Sequence, residues 1–453
     1  MAHTLIRNAA IVTMDDSLGD FTGDLLIEDD RIAAITPRVD GVVDADIIDA
    51  NGFIVIPGLI NTHMHTWQTG LRGVAANWTL LEYFKQVHAG LATLFRPEDI
   101  GIATLVGALN QINCGTTTRV DWCHHNPTPA HTDAAVDALF ESGIRAAFFH
   151  GSPKPDPKPG ERPFWEVPHP RHEVERLLKG RLAADGGLVT LGMAILGPHY
   201  STLEVALSDF ALARDLGLIA SMHQGGGAAR TADGWERLEA ASLLGDHVNI
   251  VHGNNLTDAQ LKKFVELGMS FSITPESEMA QGHGYPITGR LRKLGSALTL
   301  GVDLESVFSG DMFTVARMAL AMQRALDNAD YRAAHASIPD TSTVPVRDAL
   351  SWITTQGAKM LRMEDRIGSL AVGKQADLVL IDARALNMHP VHDVVASVIM
   401  QTSLANIDSV MIAGQWKKRH GKLLYADLAR CQAALAASGN RIVSELGLRR
   451  AAQ

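Results

Sequence analysis

The sequence predicts an α/β protein, a (β/α)8 TIM barrel joined to a small β-sandwich domain that the N- and C-terminal segments build discontinuously. Three observations carry this expectation. Between Pro57 and Asp303, short apolar runs alternate with helix-like stretches, the rhythm of parallel βα units. On either side of that region the pattern changes to closely spaced β-type runs separated by turn residues. The first apolar run of the alternating region ends in His63-Met64-His65, where an open doubly wound sheet would usually place a glycine-rich phosphate loop.

The N-terminal strands are expected at Leu5 to Met14, Asp24 to Glu28, Arg31 to Ile35, Ile47-Ile48 and Phe53 to Ile56. Eight barrel strands follow: Leu59 to His63, Thr116 to Asp121, Arg145 to His150, Val189 to Leu196, Leu218 to His223, Val248 to His252, Met269 to Thr274 and Leu298 to Asp303. The segments between them carry helix chemistry. Thr257 with Gln260 three positions on is a capping box, and that helix stops at Gly268. Leu203, Leu207 and Phe210 share one helical face ahead of Gly217. The β pattern returns with Gly373 to Asp382 and Ser409 to Ile412, which are expected to pair with the N-terminal strands. The expected division is 1–57 with 366–425 as the β-sandwich, 58–365 as the barrel and 426–453 as a helical segment. In that last segment Leu428, Cys431, Leu435, Ile442 and Leu446 fall at helical spacing, which suits packing against the barrel before an oligomer contact.

Composition narrows the function. A net charge of -10 without basic runs argues against a nucleic-acid partner, which needs clustered Lys and Arg. No apolar stretch approaches the roughly 20 residues of a membrane span. The first residues lack a secretory pattern, and Cys114, Cys123 and Cys431 do not form a disulfide framework, so a cytoplasmic enzyme is expected. Its partner is expected to be a small-molecule substrate, with a homo-oligomer expected only by analogy with such enzymes.

In a parallel barrel, functional groups gather at the C-terminal strand ends. His63 and His65 lie two residues apart, so an extended backbone turns both imidazoles to one side. His223, His252 and Asp303 close three other strands. Any one of these alone reads as an ordinary polar strand end; together they make a donor set. Imidazoles with one carboxylate suit one divalent transition metal, zinc first, with iron or cobalt as alternatives, and a hydrolytic role.

The segment Ile54-Val55-Ile56-Pro57-Gly58-Leu59-Ile60-Asn61-Thr62-His63-Met64-His65 resembles the opening of the amidohydrolase superfamily, in its cytosine deaminase and triazine chlorohydrolase branch. Similar matches occur at Cys114-Gly115-Thr116-Thr117-Thr118, His223, Val251-His252-Gly253-Asn254, Leu300-Gly301-Val302-Asp303, Gly368-Ser369-Leu370 and Gly373 to Val379. The resemblance implies a single metal held by His63, His65, His223 and Asp303. It gives His252 to the attacking water or the substrate, and Asp303 to proton transfer. No lysine stands near the end of the fourth strand, which argues against a carboxylated-lysine, two-metal site.

The resemblance also implies substrate contacts at Trp67, Gln68 and His199, with Arg72 nearby and lid packing as the other reading of Trp67. Deaminases of this branch carry a glutamate three residues after the strand-five histidine; here that position is Gly226. Glu276, Glu278, His283 and Glu305 are the candidate replacements, and Glu276 is taken as a substrate contact. Cys123-His124-His125 reads as loop, and His150 has no assigned partner. The expected activity is hydrolysis of a C–N bond in a small cyclic or heteroaromatic compound. The alternatives are a carbamate, urea or halide substrate, and a non-catalytic metal- or ligand-binding protein on this fold.

Overall fold

The computed structural model describes residues 3–183 and 186–451. Eight parallel strands form one sheet in sequential order: Leu59–Met64, Thr116–Cys123, Arg145–Gly151, Val189–Ile195, Ala220–Gln224, Val248–His252, Ser270–Ile273 and Leu298–Leu300. The predicted boundaries shift by at most a few residues. The eighth strand is short, because its chain leaves regular pairing after Leu300 and bends at Asp303, which has a φ of +69°. A single parallel bridge between Met64 and Asp303 joins the eighth strand's continuation to the first. Two backbone hydrogen bonds make that joint: His65 N to Asp303 O at 2.8 Å and Asp303 N to His63 O at 2.9 Å.

Most of these strand residues are buried, as expected for a sheet covered on both faces. Part of the barrel interior is polar rather than aliphatic. Thr62 and Thr299 hydroxyls lie 2.6 Å apart, Asn249 Nδ2 donates to Ser270 and Ser272 at 3.1 Å each, and Ser221 donates to Asn249 Oδ1 at 2.8 Å. The Trp122 indole N–H closes the chain on Ser221 at 3.0 Å. Buried polar groups are tolerated when each finds a partner, and such a network fixes rotamers more strictly than an apolar layer.

The capping box at Thr257 forms as predicted and starts helix Asp258–Glu266. The helix Leu203–Asp215 forms, but it buries Val205, Ala206, Phe210 and Leu212, so of the expected Leu203, Leu207 and Phe210 face only Phe210 is buried. The C-terminal helix Leu428–Ala451 packs through Gly439, where a Cβ would come within 2.3 Å of the Gly70 carbonyl oxygen. Its Ser438 and Arg441 both reach Asp99, Ser438 at 2.6 Å. The helix therefore braces Thr66–Leu71, the turn that follows His65. Among the described residues, no helix is long and apolar enough to cross a membrane.

A second sheet of nine strands is separate from the first. Its discontinuity is explicit: Leu378–Asp382 pairs antiparallel with Phe53–Pro57, and His3–Ile11 pairs with both Phe21–Glu28 and Phe53–Pro57. Ile6, Ile11, Leu25, Ile27, Val55, Leu378, Leu380 and Met411 form its core. The short strands Gln415–Arg419 and Lys422–Leu423, too polar to announce themselves in sequence, extend its edge. By packing, the chain divides into two compact units: Met1–Asn61 with Leu109–Thr118 and Asp311–Ala426, and Thr62–Ala108 with Arg119–Gly310 and Asp427–Gln453.

Gly301 tests the joint between the first and eighth strands. A Cβ there would lie 2.7 Å from both the Cβ and the carbonyl oxygen of His63. Gly301→Ala is expected to destabilise the protein by about 1–3 kcal/mol through overpacking and to lower its metal retention. Thermal unfolding with metal quantification checks this; an unchanged melting temperature and metal content would contradict the tight fit.

Candidate active site

The barrel closure delivers the first ligands. His63 and His65 point to one side of the first strand, as period-two alternation requires. His223 Nε2 lies 3.2 Å from the Nε2 of each. Asp303 Oδ1 lies 3.2 Å from His63 Nε2 and 3.3 Å from His65 Nε2. All four donor atoms fall within 4.8 Å of one another, and all four residues are buried. Sequence reasoning named this same set.

The donor chemistry fits a divalent transition metal. His65 Nδ1 sits 2.7 Å from the Trp122 carbonyl oxygen, which can only accept, so that nitrogen carries the proton and Nε2 turns a lone pair toward the cluster. Burial holds the three imidazoles neutral, His65 down to about 3 and His63 and His223 also below the usual histidine range. Burial alone would raise the Asp303 carboxyl, but the hydrogen bond from His63 and the surrounding imidazoles outweigh it and hold the group ionised. The four contacts of 3.2–3.3 Å among these donor atoms bring them close enough to share one ion.

His252 ends the sixth strand beside this cluster, its ring centroid 5.4 Å from that of His223. Its Nδ1 lies 3.0 Å from Thr274 Oγ1 and 3.3 Å from Glu278 Oε1. Glu278 is fully buried on helix Pro275–Gln281 and also accepts the Thr274 backbone N–H at 2.8 Å. The carboxylate and the Thr274 hydroxyl fix the orientation of the ring. His252, like Asp303, has a left-handed backbone, with φ of +67°. Such conformations in non-glycine residues concentrate at functional sites.

A cleft with about 360 Å³ of empty space opens over the cluster. His65, His223, His252 and Asp303 line one part of it; Tyr83, Phe84 and Tyr200 add aromatic walls, and His88, His124, Lys154 and His283 complete the polar lining. Trp67, Gln68, His199 and Glu276, expected at the substrate, are not among its lining residues. Trp67 has no exposure and donates its indole N–H to His124 Nδ1 at 3.0 Å. Gln68 is equally buried, its amide taken up by Tyr83 and Ser306 at 2.5 and 2.8 Å. His199 lies on the short helix Gly197–Tyr200, whose Tyr200 faces the cleft instead. On helix Pro275–Gln281 the two-residue offset separates Glu276 from Glu278, and it is Glu278 that reaches His252.

The remaining candidates also find places. Glu305 is ion-paired with Arg72 at 3.0 Å. His150 Nδ1 meets His169 Nε2 at 3.0 Å, away from the cluster. Gly226 has a φ of +78°, and a Cβ there would lie 2.4 Å from Leu80 Cδ2. A side chain there would need a strained backbone and a shifted Leu80 side chain.

Sequence reasoning missed His124 and Lys154. His124 follows the second strand directly and stacks on His65, with ring centroids 4.1 Å apart and planes within 4°. Because the Trp67 indole can only donate, His124 Nδ1 accepts and its proton sits on Nε2. Lys154 follows the third strand by three residues. Extending the strand-end search a few residues into each loop would have found both.

Comparison with known proteins agrees with this geometry. The amidohydrolase family pattern matches residues 54–417. The chain is 28% identical to the 8-oxoguanine deaminase of Pseudomonas aeruginosa over 98% of its own length and all of that protein. It is 27% identical to the 5-methylthioadenosine/S-adenosylhomocysteine deaminase of Desulforudis audaxviator, covering 93% of this chain and 95% of that one. Among solved structures, the atrazine chlorohydrolase of Arthrobacter aurescens complexed with zinc superposes with a TM-score of 0.84 at 22% identity, over 96% of this chain and all of the other. A zinc-bound adenosine deaminase of Xanthomonas campestris gives 0.82 at 24% identity, over 98% and 99%. With the family pattern spanning most of its length, the chain belongs to the amidohydrolase family of metal-dependent hydrolases.

Proposed function

We propose that this enzyme hydrolyses a C–N bond of a small heteroaromatic compound, releasing an amine or ammonia, with zinc as the metal and iron or cobalt able to serve. The observation that carries this is the buried His63, His65, His223 and Asp303 cluster at an aromatic-walled cleft, with His252 beside it. The deaminase relatives and the zinc-holding structural neighbours support the substrate class and the metal.

In this reading His63, His65, His223 and Asp303 hold the ion. Bound there, a divalent metal would supply Lewis acidity that lowers the pKa of a water to about 7. Asp303 accepts the proton of the attacking water and returns it to the departing nitrogen. His252 orients the water and the electrophilic carbon, with Glu278 stabilising the imidazole as positive charge develops. Tyr83, Phe84 and Tyr200 give a flat substrate its apolar walls. Gly226 supplies no strand-five carboxylate, so in this reading protonation of the leaving group falls to Asp303 or to the His252–Glu278 couple.

A screen for ammonia release across aminated pyrimidines, purines and triazines, run beside amide, carbamate and halide substrates, tests the proposal. Turnover of an aminated heteroaromatic is the expected result; turnover confined to the other classes would overturn it. Asp303→Asn is expected to lower kcat about a thousandfold or more with the fold intact by circular dichroism; near-normal turnover would remove Asp303 from proton transfer. Glu278→Gln is expected to lower kcat about 10- to 100-fold with metal content unchanged. An unaltered kcat would show that His252 works without it.

A further inference from the structure

Lys154 is a buried cation facing the cleft, and no part of the proposed reaction uses it. Its ammonium lies 5.2, 5.7 and 6.0 Å from the ring centroids of Tyr200, Trp122 and Phe84. Among the described residues no carboxylate pairs with it and no acceptor takes a hydrogen bond from it. Asp303, which among the described residues is the one carboxylate lining the same cleft, belongs to the metal cluster. A smaller cavity also lined by Lys154 holds Asp209, which accepts the His169 backbone N–H at 2.8 Å and forms no ion pair with the lysine.

Burying a charge is costly unless a partner answers it, and aromatic faces return only part of that cost. Burial accordingly lowers the ammonium to about 8, against a smaller opposing pull from Asp303, and leaves it mostly charged near neutral pH. The second donor on this wall is His124. Its Nδ1 is held by Trp67, and its protonated Nε2 has no partner among the described residues. Lysine and histidine thus offer N–H donors to the cleft with no protein acceptor between them.

We propose that Lys154, assisted by His124, binds an anionic oxygen of the substrate, so that the heteroaromatic compound acted on carries a carboxylate or an acidic ring oxygen. This rests on the heteroaromatic reading above and narrows it. The aromatic rings around the ammonium hold the planar substrate while the lysine fixes which edge faces away from the metal cluster. Specificity then comes from a charge the site leaves unanswered: a neutral analogue strands the ammonium, while the acidic substrate satisfies it.

Matched probes test this by calorimetric binding to the metal-loaded enzyme: an aminopyrimidine carboxylate against its carboxamide. The wild-type protein is expected to bind the carboxylate roughly 10- to 100-fold more tightly. Lys154→Met should remove that preference by weakening carboxylate binding while metal content stays unchanged, and Lys154→Arg should keep most of it. A preference that survives in Lys154→Met places the anion on the metal and overturns the proposal; so does equal or absent binding of both probes to the wild type. Because binding is read without turnover, failure of the hydrolase reading would appear separately, as carboxylate preference with no ammonia release from any aminated compound.

Discussion

The site depends on one backbone joint. Where the last barrel strand meets the first, His65 donates to the Asp303 carbonyl and Asp303 donates to the His63 carbonyl. The residues that join the two strands are the residues whose side chains converge. Two ligand positions on one strand and one on another are therefore set by main-chain hydrogen bonds rather than by flexible side chains alone. Gly301, with no room for a Cβ beside His63, lets the strands approach that closely. The left-handed backbone at Asp303 turns the carboxylate inward at the end of a strand only three residues long.

Support for this joint comes from below and from the side. The polar chain through Asn249, Ser221 and Trp122 ends at the carbonyl that fixes the His65 tautomer. The C-terminal helix presses Gly439 on Gly70 and holds Asp99 through Ser438 and Arg441, bracing the turn after His65. Positioning by rigid surroundings is what allows a catalytic group to be ready before substrate arrives.

Much of this was legible in the sequence because it rests on local periodicity. Alternation along a strand puts His63 and His65 on one side, and eight apolar runs place His223, His252 and Asp303 at comparable ends. What was not legible depends on three-dimensional partners. Gln68 has the chemistry of a substrate contact, but Tyr83 and Ser306 consume its amide. Glu276 and Glu278 are equivalent in sequence, and only helix phase decides which reaches His252. His124 looked like loop because neighbouring side chains rarely converge; stacking on His65, rather than ligation, gives it a role. Lys154 carries no motif, and it lines a cleft the sequence cannot draw, where among the described residues no carboxylate pairs with it. Gly226 read as a missing residue; its positive φ and the nearby Leu80 add that a side chain there would need a strained backbone and a shifted leucine.

X-ray absorption spectroscopy of the purified enzyme, with metal quantification, addresses the central claim most directly. The account predicts one transition metal per chain, bound by imidazole nitrogen and carboxylate oxygen at about 2.0–2.2 Å, with no sulfur ligand. A protein that retains no transition metal under gentle purification, or one whose metal has thiolate ligands or a second metal nearby, would contradict it.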